Sequence, residues 1–459
     1  MERLAKLLCL VIFFLVLCNA KINYLSQALH AKKDGKLELA YEYIEKATEE
    51  NPNSVNVLII KGQILVKLER NKEAITVFEK LHATFPENTV ITQQLANLYQ
   101  LEDRLRESIK LNLSLVKKRK TSAGLFYNLG FALNHLGLKK EAITFYRQAL
   151  ELKPDCIPAR IGLGSCLVTI GQFEEGWKEV SWPLFRGKQL NPHNFLGKTV
   201  LLDCRNPYGD TFFFIRYAQQ LKECGARVLA HVPIQLVSLL SLMPCIDQVF
   251  TQRNKISYDI RIPVTSCGYI FNTTLETIPT NVPYLYAQPS LINLWKEKLK
   301  NDTNFKIGIC WSANAFNDRF IPKYSHRTFD PTRFKKICGI KNVSCYSLQT
   351  SEINKTLPKD LNVSHFENFD SDHGSFMDTA ALITNLDLII TADTSIAHLA
   401  GALAKPVWVL LPHVADGRWL LDRQDSPWYP TMRLFRQKAY GYWQPVFEKV
   451  YQEVIKLIT

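Results

Sequence analysis

The chain has eleven cysteines among its 459 residues but no Cys-x-x-Cys pair, and no group of histidines stands near them. Neither a zinc site nor a disulfide framework is therefore suggested, and no metal is expected; scattered thiols of this kind fit a reduced, buried state. There is no G-x-G-x-x-G and no G-x-x-x-x-G-K-[ST]. A nicotinamide enzyme or a P-loop ATPase would lack its phosphate cradle here. The apolar run at the N-terminus, Leu7 to Leu17, is short for a transmembrane helix. Acidic residues are outnumbered, 43 against 56 Lys plus Arg, and the resulting charge of +13 favours anionic partners. The dense basic run Lys117-Lys-Arg-Lys120 has no interleaved aromatics. It reads as a solvated loop, and nucleic acid is not an expected partner.

What is present is a globular composition, 47% hydrophobic and 22% charged, long enough for two to four domains. Arg3 and Lys6 precede the Leu7–Leu17 run, and Cys18-Asn-Ala20 comes after it. That layout is a signal or anchor segment over residues 1–20. It leaves three readings open: membrane association at the cytoplasmic face, export after cleavage near Ala20, or a hydrophobic helix capping the segment that begins at residue 21.

From residue 21 a 34-residue period appears. Small residues recur at its eighth position (Ala28, Gly62, Ala96, Gly130, Gly164) and its twentieth (Ala40, Ala74, Ser108, Ala142, Gly176), where paired helices must approach closely. Pro52, Pro86 and Pro154 end the second helix of their units, whereas the third unit has Lys120 there and Asp103 in place of the turn glycine. The unit Leu125-Phe-Tyr-Asn-Leu-Gly130 … Leu136-Gly137 … Glu141-Ala-Ile … Ala149-Leu … Pro154 resembles the tetratricopeptide repeat, and about five such repeats over 21–190 would form an α-solenoid with a groove for a partner. Trp177 and Trp182 stand where an internal repeat keeps smaller residues, and are expected to cap the solenoid against the next domain.

After Asn191-Pro192 short β runs alternate with helical segments. Strands are expected at Thr199–Asp203, Arg227–Val232 and Tyr258–Val264, with a helix from Thr211 to Cys224. A second series covers Lys306–Trp311, Ser344–Leu348, Leu386–Ala392 and Val407–Leu411. Two successive βαβ sets imply two Rossmann-like lobes, 191–290 and 300–459, with Gln288–Asn304 as the hinge and ligands at the carboxyl ends of the strands.

The most informative stretch is Thr391-Ala-Asp393-Thr394-Ser395-Ile-Ala-His398, a buried strand running into a helix mouth capped by Thr394 or Ser395. Free N–H groups, the helix dipole, two hydroxyls and an imidazole would face one small volume suited to a diphosphate. The same residues could equally be an ordinary cap and a core histidine. In the first lobe, Tyr208-Gly209-Asp210-Thr211 places a carboxylate at a strand-to-helix turn, as a base for an acceptor hydroxyl or as a plain helix cap. Ser312 and Asn314 end a strand of the second lobe. Arg327 could neutralise a phosphate, and Gln349 could bond a sugar or base or hold a turn.

Phe376-Met-Asp378-Thr-Ala-Ala-Leu, Asp387-Leu-Ile-Ile-Thr-Ala-Asp393-Thr394, His398-Leu-Ala-Gly-Ala-Leu, Lys405-Pro-Val-Trp-Val-Leu-Leu411, Trp419-Leu-Leu-Asp422-Arg and Ser426-Pro-Trp-Tyr-Pro430 together resemble bacterial proteins that join tetratricopeptide repeats to a heptosyltransferase-like glycosyltransferase domain. What the resemblance implies is α plus α/β architecture: the solenoid, then a GT-B pair of lobes. It also implies inverting transfer without a metal or other cofactor, from a nucleotide-sugar donor to a saccharide or protein acceptor recruited by the repeats. On that pattern Asp210 is the base; Thr394, Ser395 and His398 bind phosphate, with Asp393 organising the turn. Ser312, Asn314, Arg327 and Gln349 lie on the donor side. The chain departs from the pattern at Pro207 and at Asn314-Ala315. Pro207 removes a backbone N–H beside the expected base, which keeps a non-catalytic interaction scaffold as one alternative; a protein O-linked sugar transferase, which shares the repeat-plus-GT-B architecture, is the other.

Overall fold

A computed structural model describes residues 23–118, 121–186, 190–205, 207–252, 256–312, 326–354, 357–366 and 376–459. The Leu7–Leu17 run, Ala20 and Asn314 lie outside them. Among the described residues no helix is long and apolar enough to cross a membrane. Packing divides the chain into two compact units, residues 1–132 and 133–459.

In the first unit, α1 (Tyr24–Lys33) pairs with α2 (Leu37–Glu50), α3 (Val55–Lys67) with α4 (Asn71–Thr84), and α5 (Thr89–Leu101) with α6 (Leu105–Lys117). The expected small positions lie in the contacts: Ala28, Ala40, Ala74 and Ala96 are wholly buried, and the buried Ser108 hydroxyl donates to the Ala96 carbonyl at 2.8 Å. Between the helices of each pair one residue is left-handed: Gly35 (φ 77°), Glu69 (60°) and Asp103 (56°). Asp103 therefore does the turn glycine's work in the degenerate unit.

The helix α7 (Ala123–His135) carries the chain across residue 132. The second unit continues the period with α8 (Lys139–Leu152), α9 (Ile157–Thr169) and α10 (Phe173–Phe185), and with left-handed turns at Gly137 and Gly171, both at φ 83°. A Cβ at Gly164 would lie 2.7 Å from both the Gly176 carbonyl oxygen and the Val180 nitrogen, so only glycine admits this approach of α9 and α10. Trp177 docks on residues beyond the repeats: its ring meets Phe214 at 6.2 Å and Trp428 at 6.4 Å, both edge-on. Trp182 instead lies under the Arg160 guanidinium, 4.3 Å away.

The rest of the second unit is built on two all-parallel sheets. The first contains β1 (Thr199–Asp203), β2 (Arg227–His231), β3 (Gln248–Phe250) and β4 (Ile260–Pro263) in the order 3-2-1-4. The second contains β5 (Phe305–Cys310), β6 (Val343–Ser347), β7 (Val363–Ser364), β8 (Leu388–Ala392), β9 (Val407–Leu411) and β10 (Met432–Arg436), in the order 10-9-8-5-6-7. The order reverses beside β1 and beside β5, as in doubly wound sheets, and the crevice at such a reversal is where ligands bind. Both faces of the second sheet are apolar: Ile307, Ile309, Leu388 and Ile390 face one core with the C-terminal helix, and Ile389, Val407 and Val409 face the other.

Two expectations are corrected. The segment Gln288–Asn304 is no hinge: it contains the helix Pro289–Leu299, whose Leu291, Trp295 and Leu299 form a buried stripe. Trp295 Nε1 donates to Asp378 Oδ1 at 2.8 Å and Asn385 Nδ2 to the Ile292 carbonyl at 3.0 Å, so packing fixes it. The helix expected from Thr211 to Cys224 is broken into Tyr208–Phe214, a 3₁₀ turn Ile215–Tyr217 and Ala218–Glu223. The tighter turn aims Arg216 inward, where it donates to the carbonyls of Phe213, Pro279 and Trp428 and to the Tyr284 hydroxyl.

Candidate functional site

The carboxyl ends of β5 and β8 lie side by side at the reversal of the second sheet. Cys310 Sγ stands 3.6 Å from Thr394 Oγ1. Thr394 is the N-cap of the helix Ser395–Ala402, accepting from the Ile396 N–H at 3.3 Å, and its hydroxyl also meets Thr391 Oγ1 at 3.2 Å. The helix forms because an apolar stretch succeeds a β-region cap, and nearly all of it is buried. Opposite stands the start of Tyr208–Phe214, whose N-cap is Pro207. The two helix starts touch at Gly209, where an added Cβ would lie 3.2 Å from His398 Cδ2 and 3.6 Å from Ser395 Cα. The helix mouth is thus faced by the first-sheet helix at Gly209.

Arg418, which the sequence reading missed, joins the two sides. Its Nη2 donates to Asp210 Oδ1 at 2.7 Å, its Nε to Asp416 Oδ1 at 2.8 Å, and its Nη1 stands 3.3 Å from His398 Nε2. An arginine can only donate, so His398 Nε2 accepts and the imidazole is neutral. Its Nδ1 hydrogen then goes to the Tyr429 hydroxyl, 3.1 Å away. Burial first, and the Arg418 charge second, hold the His398 pKa well below its ordinary value. The ring lies parallel to Trp419 at 5.2 Å. Burial alone would raise the Asp416 carboxyl, but Arg418 more than offsets it and holds the group below the usual range. No motif marks Arg418 in advance, because its partners come from three separate stretches of chain.

Asp393, at the end of β8, is buried, which pushes its carboxyl pKa up against the opposing charge of Arg327. Asp393 and Arg327 line one cavity of ≈ 270 Å³ together with Asn134, Lys139, Ser165 and Asp416. Gln349 serves the loop after β5: its Oε1 accepts from the N–H groups of Trp311 (2.9 Å) and Ser312 (2.7 Å), so its carbonyl is committed to the chain itself. Ser395 sits half-buried at the mouth. The structure therefore brings together Asp210, His398, Thr394 and Ser395, with Asp393 and Arg327 on the neighbouring cavity. Ser312 and Gln349 form the β5 loop, and Asn314 lies outside the described residues. Among the described residues no group of three His, Cys, Asp or Glu could hold a metal ion.

A tetratricopeptide repeat model matches residues 123–156, so the chain carries this protein-interaction repeat. Protein FlbA of Caulobacter vibrioides is 21% identical over 504 residues, covering 92% of this chain and 82% of that protein. Among solved structures, a crystal structure of MamA is similar over 34% of this chain and 90% of its own, at 19% identity and a TM-score of 0.32. MamA from Desulfovibrio magneticus RS-1 is similar over 34% and 88%, at 19% identity and 0.32.

Proposed function

We propose that the chain is a metal-independent glycosyltransferase of GT-B type, moving a sugar from a nucleotide-diphospho-sugar to an acceptor recruited by the repeats. The observation that carries the reading is Arg418, which ties the candidate base Asp210 to His398 on the helix expected to hold the diphosphate. Two parallel sheets of doubly wound order, meeting through the starts of those helices, support it as well. In this reading the acceptor O–H gives its proton to the Asp210 carboxylate and the acceptor oxygen bonds to the anomeric carbon. The bond from that carbon to the diphosphate oxygen breaks, with inversion, and the departing diphosphate gains charge. Preorganised N–H groups of the Ser395–Ala402 helix, with Arg327 and Arg418, would favour that charge in a water-poor site.

A second reading, an interaction scaffold whose two-sheet region is no longer catalytic, is favoured by the approach of Gly209 to Ser395 and by Pro207 at the turn. Calorimetry with nucleotide diphosphates, and then turnover of Asp210→Asn with nucleotide-sugar donors, decides between them. The transferase reading expects nucleotide binding that survives the substitution and turnover lowered by roughly 10²- to 10⁴-fold. No nucleotide binding removes the transferase from consideration, whereas turnover within a few-fold of wild type removes Asp210 from the mechanism and leaves the transferase reading standing. A mass shift on a protein rather than a saccharide acceptor would identify the acceptor class.

A further inference from the structure

The ≈ 270 Å³ cavity is walled on one side by the repeats, through Asn134, Lys139 and Ser165, and on the other by Asp393, Val414 and Asp416. The two walls are fixed against each other. A Cβ at Gly417 would stand 2.9 Å from Thr169 Oγ1 and 3.3 Å from the Ser165 carbonyl, so the turn after Asp416 sits directly on α9. The volume lies below the usual range for drug-sized ligands, about 300–1,000 Å³, and holds one small ring with a few waters at about 30 Å³ each.

The lining mixes fixed donors and acceptors. Lys139 is buried, and its ammonium donates to Asn134 Oδ1 at 2.5 Å and to the Asn134 carbonyl at 3.3 Å. An ammonium has a third hydrogen for a ligand. Asp416 gives Oδ1 to Arg418, while its Oδ2 is no nearer than 3.5 Å to Arg418 Nη2 and keeps its capacity to accept. Lys139 and Arg327 balance the carboxylates of Asp393 and Asp416, so the lining offers a phosphate no net positive charge, and a cavity this small and polar does not suit a flat purine. A ring bearing several hydroxyls, each able to donate to a carboxylate and accept from an ammonium, fits both charges and size.

We propose that this cavity binds one monosaccharide ring, and that Lys139 and Asn134 are the repeats' own contribution to sugar recognition. Whether that sugar is a reactant rests on the transferase reading; its binding does not. The test is saturation-transfer NMR and calorimetry on the full chain, with methyl α-glucopyranoside, methyl α-mannopyranoside and N-acetylglucosamine as probes and nucleotide diphosphate as the control ligand. At least one sugar should bind in the wild type, and Lys139→Met should weaken it at least tenfold while nucleotide affinity stays within twofold. Ser165→Leu, at a half-buried position on the same wall, should do the same by filling the cavity, and it guards against a Lys139 variant that fails to fold. If none of the probes binds, or if both variants bind sugar as the wild type does, the assignment is overturned. If sugar binding tracks the variants but nucleotides never bind, the cavity stands and the transferase reading falls.

Discussion

Replacing Arg418 by methionine should cost stability, and the cost should depend on pH. The side chain is 16% exposed, and its partners Asp210 and Asp416 are 26% and 48% exposed. Removing one member of a fully buried pair costs about 3–5 kcal/mol, and an exposed pair is worth about 0–1 kcal/mol. With one partner mostly covered and the other half in solvent, the loss should be about 2–3 kcal/mol, or roughly 3–4 °C in the melting temperature of a unit this size. The sign with pH is set by two groups. The Asp416 carboxyl is held below its ordinary range, so its contribution is complete above the unfolded value of about 4 and is lost as pH falls below it. The His398 pKa is depressed too, so wild-type stability falls as pH drops below the unfolded value of about 6.5. Without Arg418 both depressions relax, and the variant should lose less on acidification. Thermal melts from pH 7 to pH 3 should therefore show the gap between wild type and variant narrowing. A gap that is absent at pH 7, or that stays constant to pH 3, would refute the bridge as drawn.

Gly164→Ala forces a Cβ to within 2.7 Å of two backbone atoms of α10, and should destabilise by about 1–3 kcal/mol in urea unfolding monitored by circular dichroism. A variant as stable as wild type would mean that the two helices do not approach so closely. Trp177→Ala removes the packing on Phe214 and Trp428, with an expected loss of about 3–5 kcal/mol and faster proteolysis after residue 185. Unchanged proteolysis would show that this tryptophan docks nothing.

Local patterns in the sequence carried far. The 34-residue period announced the helix pairs, and Thr199–Asp203 and Val407–Leu411 are strands with the bounds that their apolar runs suggest. Gln248–Phe250, Val363–Ser364 and Met432–Arg436 escaped notice because edge strands of two to five residues carry too little alternation to be read. The left-handed turn at Glu69 was hidden because the residue there is not a glycine. In the site, Thr394 could be recognised as a cap from its neighbours, whereas Arg418 could not: its partners are set by how the sheets pack, and no spacing in the chain encodes that. Gln349 had the right chemistry for a ligand, and the fold uses its Oε1 to hold its own loop.

Stacked repeats allow a protein to gain or lose a whole period, since each unit leans only on its neighbours. That freedom is unequal here, because residues 133–185 pack with the sheets and the earlier pairs form their own unit. A deletion of 34 residues upstream shortens an array, but the same deletion anywhere between 139 and 185 takes away Gly164, where α9 and α10 meet, and Ser165 of the cavity wall. Two stretches with one periodic signature therefore carry different structural loads: a lost period shortens the array at one end, and at the other removes part of the packing against the sheets.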